Sequence, residues 1–557
     1  MGAGCLIGGV KEHKIGRVIQ QKCRYLEVAI VKNTLVLYLI PLSLLGLIAC
    51  GGSSNKEPVL SNDLIWTINV FEDEAQFKNF CQSPRTGTDP FTGNPYPDRE
   101  GNTLAENHWL RSWSNNTYLW YDEITDNNPA NFSTTEDFFD QLKTEQTSNT
   151  GQPKDKFHFT YPSDEWQQLT QSGISAGYGA DWAILERSPP RKILVAYTEP
   201  NTPATDADLP RGAEILEIDG VDAVNDGDQA SVDIINAALF PSDLGESHEF
   251  VIREVGQTAT RTITMISQEI TSSPVQNVTT VDTQTGKVGY MLFNSHIATA
   301  EEQLINAVNQ LSNENIDDLV LDLRYNGGGL LAIASQLAYM IAGSNNTSGQ
   351  TFDRLVFNNK HTVTNPVTGN ALSPTPFYST SLGFSVSQGQ PLPTLNLDRV
   401  FILSTDGTCS ASEAIINGLR GVDIEVILIG DTTCGKPYGF YPTDNCGTTY
   451  FTVQFRGENA KGFGDYSDGF SPANTQGTVG EVVTGCSVGD DFQHLLGDVN
   501  EGQFKAALDY RITGSCPIVA AKTSNITSEK PDQRSAIRTI SSFEKALILE
   551  NQISRER

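Results

Sequence analysis

The sequence predicts a multidomain chain that mixes α/β and α+β layers: a helical N-terminal domain, a small β domain, then an α/β core. Three observations predict this. From Gly286 onward, apolar strands and amphipathic helices alternate, the pattern of an α/β layer fold. Between about Gly173 and Thr271, short β-rich runs punctuated by Gly and Pro take its place. The 557 residues suffice for two to four domains at roughly 100–200 residues each.

In order along the chain, residues 1–31 are basic and unpatterned. No export signal needs such a lead, so it reads as a mis-assigned start, with Val31 the alternative. Residues 1–49 together form a signal region. Its apolar stretch, Thr34 to Ala49, follows Lys32 and falls short of the ~20 residues a membrane-spanning helix needs. A basic flank, an apolar run and then small residues describe an export signal instead. Leu47-Ile48-Ala49-Cys50 resembles a bacterial lipobox, which implies a lipidated Cys50 at the mature amino terminus and a cell-envelope protein. Gly51 after that cysteine points to the outer membrane rather than the inner.

Residues 50–60 read as a polar tether. Residues 61–172 form the N-terminal domain, expected to be mainly helical, with Trp109, Trp113, Tyr118 and Trp120 as core aromatics. Residues 173–271 hold strand candidates at 183–185, 192–197, 213–218 and 249–252, with a helix near 232–239. Residues 272–517 form the core. Its predicted elements are strands at 288–293, 318–323, 400–404 and 426–429 and helices at 299–311, 330–342 and 412–419. Residues 518–557 are a polar tail.

Lys and Arg number 38 against 67 Asp and Glu, a net charge of −29. A surface that acidic repels phosphate backbones, so nucleic acid is excluded as a partner. Beyond Cys50 six cysteines remain, at 81, 409, 434, 446, 486 and 516. An even count in an exported chain fits disulfides, in any of 15 connectivities. Cys434 and Cys446 flank a stretch that could fold back as a hairpin, and Cys486 and Cys516 bracket the end of the core. No CxxC pair or histidine spacing supports zinc.

Three segments carry chemistry. Asp406-Gly407-Thr408-Cys409-Ser410-Ala411-Ser412-Glu413 follows the apolar strand VFILS and opens a helix. Unpaired N–H groups at a helix amino terminus favour the negative charge a tetrahedral oxyanion develops. Ser410 is therefore a candidate nucleophile; an ordinary N-cap at Ser410 or Ser412 is the alternative. Lys436, after the strand EVILIG, is 26 residues on. A serine hydroxyl needs a base, and a lysine serves only where burial or neighbours lower its pKa. A solvated loop lysine is the alternative. Asp322-Leu323-Arg324-Tyr325-Asn326-Gly327-Gly328-Gly329-Leu330 runs from a buried strand through three glycines, which let a backbone approach a reacting group closely. Nucleotide-binding glycine patterns are absent here.

In this order the segments resemble the S41 serine peptidases, the carboxyl-terminal processing proteases, over roughly residues 170–517. The resemblance implies a ClpP/crotonase-like core and a Ser–Lys dyad, with Ser410 as nucleophile and Lys436 as general base. It also implies oxyanion donors at Ala411 and Gly328. Many members carry Gln four residues after the lysine; here that position is Phe440, so Glu413, Thr433 or a carbonyl must orient Lys436. His296 is the candidate for the histidine of the tricorn-type branch. Residues 173–270 resemble a PDZ domain, which implies that Tyr178, Gly179 and Ala180 form its carboxylate-binding loop and that an exposed strand edge pairs with peptide.

The expected function is serine endopeptidase cleavage of exported or periplasmic proteins near their C-termini. Partners would be protein or peptide substrates with free C-termini, and the membrane through the lipid anchor alone; a homo-oligomer is compatible. No cofactor and no metal is expected. The competing readings are a non-catalytic peptide- or lipid-binding lipoprotein on the same scaffold, and an envelope esterase or amidase using the same serine.

Overall fold

The computed structural model describes residues 64–164, 166–167, 175–477, 479–517 and 537. The signal region, Cys50, the tether and the polar tail other than residue 537 lie outside the described residues. No helix among those described is long and apolar enough to cross a membrane.

In the N-terminal region the helix α1 (Thr103–Thr117) starts at Asn102, whose side chain accepts from the Ala105 N–H. Trp109, Leu110 and Trp113 lie on its buried face. The two indoles stack with centroids 5.2 Å apart, and Tyr450 of the core meets the same cluster. These aromatics are therefore packing, as expected. The region is less helical than its pattern suggests. Apart from α1 its described residues hold the short helix Thr135–Phe139, helical residues at 163–164 and 166–167, and single 3₁₀ turns. The physical reason is the Gly-, Pro-, Asn- and Asp-rich stretch 83–102, whose side chains and backbone favour turns over helix. The Cys81–Cys446 disulfide and antiparallel pairing of Phe159–Pro162 with Thr448–Phe451 help bind the region to the core.

The next region is an antiparallel sheet of β1 (Ala180–Glu186), β2 (Lys192–Thr198), β3 (Glu214–Ile218), β4 (Ser247–Arg253) and β5 (Arg261–Ile266), in the order β5-β4-β3-β2-β1. The helix α2 (Gln229–Leu239) covers it with Val232, Ile235, Ala238 and Leu239. Strand β1 ends the order, so among the described residues one of its edges pairs with no strand.

The core is one six-stranded sheet: β6 (Val275–Thr283), β7 (Gly286–Phe293), β8 (Asp318–Asp322), β9 (Arg399–Ser404), β10 (Glu425–Gly430) and β11 (Gly485–Ser487), paired in that order. Strands β6 and β7 are antiparallel and all other pairs are parallel. Strand β8 is buried at every position, as a central parallel strand with both faces covered must be. Side-chain alternation sorts the strands onto two faces. Leu319, Leu321, Ile402 and Leu428 meet the helices α3 (Ala300–Asn313), α4 (Leu331–Thr347) and α5 (Ala411–Gly421). Val320, Phe401, Leu403 and Ile429 meet Phe504 and Ala507 of α6 (Gly502–Thr513). The helices thus cover both faces, and the parallel strands end together at the edge where their loops carry the three motifs.

Charge joins the β-rich region to the core. Arg324, fully buried, donates to Asp322 (3.0 Å), Glu501 (2.8 and 3.0 Å) and Asp490 (2.7 Å). Arg211, from the turn before β3, donates to the same Asp490 (2.7 Å) and to the Tyr325 hydroxyl (2.6 Å). Removing Arg324 would leave these carboxylates buried without their shared cation. Arg324→Ala is expected to destabilise the chain by about 3–5 kcal/mol, read as a lower denaturant midpoint.

Candidate active site

Strand β9 ends in a tight turn, and Ser410 sits at the head of α5 with φ of 55°. That left-handed value is uncommon for a residue other than glycine, and such strain persists only where surrounding contacts hold it. Three hydrogen bonds hold this turn. The Cys409 N–H and the Ser412 hydroxyl both donate to the Asn326 carbonyl, at 3.1 and 3.0 Å. Glu413, three residues into α5, reaches back to the Ser410 N–H at 3.0 Å, as in a capping box.

The Glu413 carboxylate also organises the lysine loop. It accepts from the Thr433 hydroxyl (2.5 Å), the Gly435 N–H (2.8 Å) and the Lys436 N–H (2.8 Å). One of its oxygens, Oε2, receives the backbone N–H of both Ser410 and Lys436, so each nitrogen lies within 3.0 Å of the same atom. Burial pushes the Glu413 carboxyl up, while the hydrogen bonds from Thr433, Lys436, Gly435 and Ser410 pull it down. A covalent link doubles the connection. Cys409, next to Ser410, is bonded to Cys434, two residues before Lys436, with Cα atoms 5.2 Å apart. This corrects the hairpin reading of Cys434 and Cys446, since Cys446 instead pairs with Cys81 across 365 residues of sequence. Cys486 and Cys516 pair with each other.

Glu413→Ala would strand buried N–H groups on both loops and remove the carboxylate they share. A fall in stability of at least ~2 kcal/mol is expected by thermal unfolding, because each unsatisfied buried donor carries its own desolvation penalty.

Lys436 is 4% exposed. Its ammonium nitrogen lies 4.6 Å from the centre of the Phe440 ring and 5.6 Å from that of Phe157. Phe440, at the position where the resembled family carries Gln, is therefore in direct contact with the amine as an aromatic wall. Phe157 belongs to the N-terminal region, whose Lys156 also reaches the lysine loop through the Cys434 and Ser467 carbonyls.

The glycine turn abuts the serine. A Cβ on Gly328, whose φ is 107°, would lie 2.7 Å from the Ser410 Cβ and 3.0 Å from the Ala411 nitrogen, so only glycine fits there. The Gly328 N–H is engaged with Asn326 Oδ1 at 3.0 Å. The Ala411 N–H donates to no group among the described residues. Asn326 is the hub of the arrangement: its side chain also donates to the Phe293 carbonyl at 2.9 Å. His296 is fully buried beside it, with Nδ1 3.0 Å from Asn326 Oδ1 and 3.2 Å from the Gly328 carbonyl. Both partners accept, so Nδ1 carries the proton. Burial lowers its pKa to about 4, keeping the ring neutral at neutral pH. His296 thus braces the glycine turn, and this accounts for its position.

In the β-rich region, Tyr178 is buried with its ring edge-on to Phe250, and Gly179 has a φ of 75°. The N–H groups of Tyr178 and Gly179 donate to no group among the described residues, and Ala180 begins β1. Residues of β1 and β2, together with Tyr325, Thr405, Asp406 and Gly407, line one cavity of about 840 Å³ between this region and the core.

Sequence reasoning missed Asn326, Phe157 and the Cys409–Cys434 pairing. Asn326 stands inside a quoted motif, and each cysteine lies within two residues of a singled-out side chain, so the signal was local. The contribution of Phe157, 279 residues before Lys436, had none.

Comparison with known proteins identifies relatives. Residues 287–441 match the family model of peptidase family S41, and residues 105–161 match that of the peptidase S41 N-terminal domain. A carboxyl-terminal-processing protease of Picosynechococcus sp. is 28% identical over 271 residues, covering 48% of this chain and 56% of that protein. The chloroplastic carboxyl-terminal-processing peptidase 3 of Arabidopsis thaliana is 26% identical over 252 residues, covering 44% and 42%. The chain spans about half the length of the curated relatives it matches. A Bacteroides fragilis structure assigned to the S41 proteases shares the fold, with a TM-score of 0.55 and 24% identity over 75% of this chain and 98% of that one. Residues 287–441 thus match peptidase family S41, and the chain is similar to carboxyl-terminal processing proteases.

Proposed function

We propose that the chain is a serine endopeptidase that trims exported proteins near their C-termini through a Ser410–Lys436 dyad. The observation that carries this reading is the Glu413 oxygen shared by the Ser410 and Lys436 N–H groups, which keeps the two loops together. In the reaction, Ser410 Oγ attacks the scissile carbonyl carbon while the neutral Lys436 amine takes its proton. The Ala411 N–H meets the oxyanion, and Gly328 joins it when its N–H leaves Asn326. As the tetrahedral adduct collapses, the C–N bond breaks and Lys436 returns the proton to the leaving amine. Water, deprotonated by Lys436, then attacks the ester, releasing a new carboxyl terminus and restoring the Ser410 hydroxyl. A lysine acts as base only in its neutral form, and Lys436 is buried.

Residues 173–271 act as a PDZ-like domain. The Tyr178 and Gly179 N–H groups receive the substrate's terminal carboxylate, and the free edge of β1 receives its backbone. The cavity lined from both sides supports passage from that domain to the serine turn. Residues 1–49 serve export, and Cys50 carries the lipid that anchors the protein to the outer membrane.

A fluorophosphonate probe tests the catalytic half. The expected result is a single adduct on Ser410, located by peptide mass spectrometry and abolished by Lys436→Met. No adduct on folded protein would leave the non-catalytic binding reading in its place.

A further inference from the structure

One residue beyond the core has a place in the fold. Ile537, twenty residues after the last core residue described, is fully buried and belongs to the apolar cluster of the β-rich region, with Tyr178, Val232, Ile235 and Leu239. Its backbone is gripped at the end of β1. The Ile537 N–H donates to the Arg187 carbonyl at 3.2 Å, and the Arg187 guanidinium donates back to the Ile537 carbonyl through Nε (3.3 Å) and Nη2 (3.1 Å). Arg191, 2% exposed, fixes the same Arg187 carbonyl at 3.1 Å.

One residue therefore satisfies both polar backbone groups of the docked isoleucine. Such contacts read main chain and an aliphatic side chain, which many peptides could supply. Ile537 is an internal residue of its chain, and Arg187 follows β1 whereas Tyr178 and Gly179 precede it. The seat thus accepts a chain passing through it rather than a terminus.

We propose that Ile537 is a resident ligand of a peptide-accepting seat at the end of β1, and that an apolar substrate segment must displace it to engage there. This rests on the PDZ-like reading above. A tethered ligand competes at an effective concentration up to about millimolar, and the substrate's apparent affinity falls by the fraction of time the seat is filled.

The experiment uses the full chain. A fluorescent peptide with an apolar C-terminal segment is titrated, by anisotropy, into Ser410→Ala protein with and without Ile537→Asp. The aspartate variant is expected to bind at least 5-fold more tightly, and Ile537→Val to bind as the parent does. A synthetic peptide of residues 531–543, added to the Ile537→Asp protein, is expected to compete the gain away. In active protein, Ile537→Asp is expected to lower KM with kcat unchanged. Equal or weaker binding by Ile537→Asp, or failure of the 531–543 peptide to compete, would overturn the proposal. A melting temperature sharply lowered without tighter binding would do the same, marking Ile537 as packing alone. Because the anisotropy arm needs no turnover, its outcome stands apart from that of the catalytic reading.

Discussion

Replacing Ser410 by alanine is expected to lower kcat/KM for peptide cleavage by about 10⁴-fold or more, the scale seen when a nucleophile that acts as a unit with its base is removed. The fold should survive. Ser410 is anchored through its backbone N–H to Glu413, and Ala411, Ser412 and Glu413 keep the head of α5 intact. A stability change within about 1 kcal/mol is expected from denaturant unfolding. Lys436→Met should cost activity on the same scale, and the double variant should be no worse than either single one, since a nucleophile without a base and a base without a nucleophile are equally idle. Additive losses in the double variant would show that the two residues act independently and would dismantle the dyad.

The second large effect concerns the Cys409–Cys434 bond. It joins the serine turn to the lysine loop, closing 25 residues of sequence. Substituting serine at both positions should lower stability by ~3 kcal/mol through the freed unfolded chain. It should also lower kcat by about 100-fold, because a misplacement of ~1 Å at reacting groups costs that much. The Cys486–Cys516 pair supplies the control. Its separation is 30 residues, so the entropic effect is similar, but it lies in the apolar cluster on the α6 face of the sheet. Its removal should match the loss of stability and spare kcat. Equal loss of kcat in the two double-serine variants would reduce the Cys409–Cys434 bond to a staple with no positioning role.

Phe440 stands at the position where the resembled family carries Gln. Two rings stand beside the amine, one from its own loop and one, Phe157, from the N-terminal region. A region with little regular structure of its own is held to the core by the Cys81–Cys446 bond and a strand pairing, and so takes part in the site. Its turn-rich chain obscures this in the sequence, because a loop's destination is set by what it packs against rather than by its periodicity.

What the sequence by itself determined was local. Apolar runs such as Asp318–Asp322 and Arg399–Ser404 can be nothing but buried strands, and the motif after each must lie at the strand's carboxyl end, since chain direction and parallel pairing leave no other place for it. What only the tertiary structure decided was company at long range: which of 15 cysteine pairings forms, that one Glu413 oxygen serves two loops, that Asn326 and His296 brace the glycine turn, and that Ile537 returns to β1. Contacts of this kind depend on side chains meeting in space after hundreds of residues, and neither period nor propensity records who the neighbour will be.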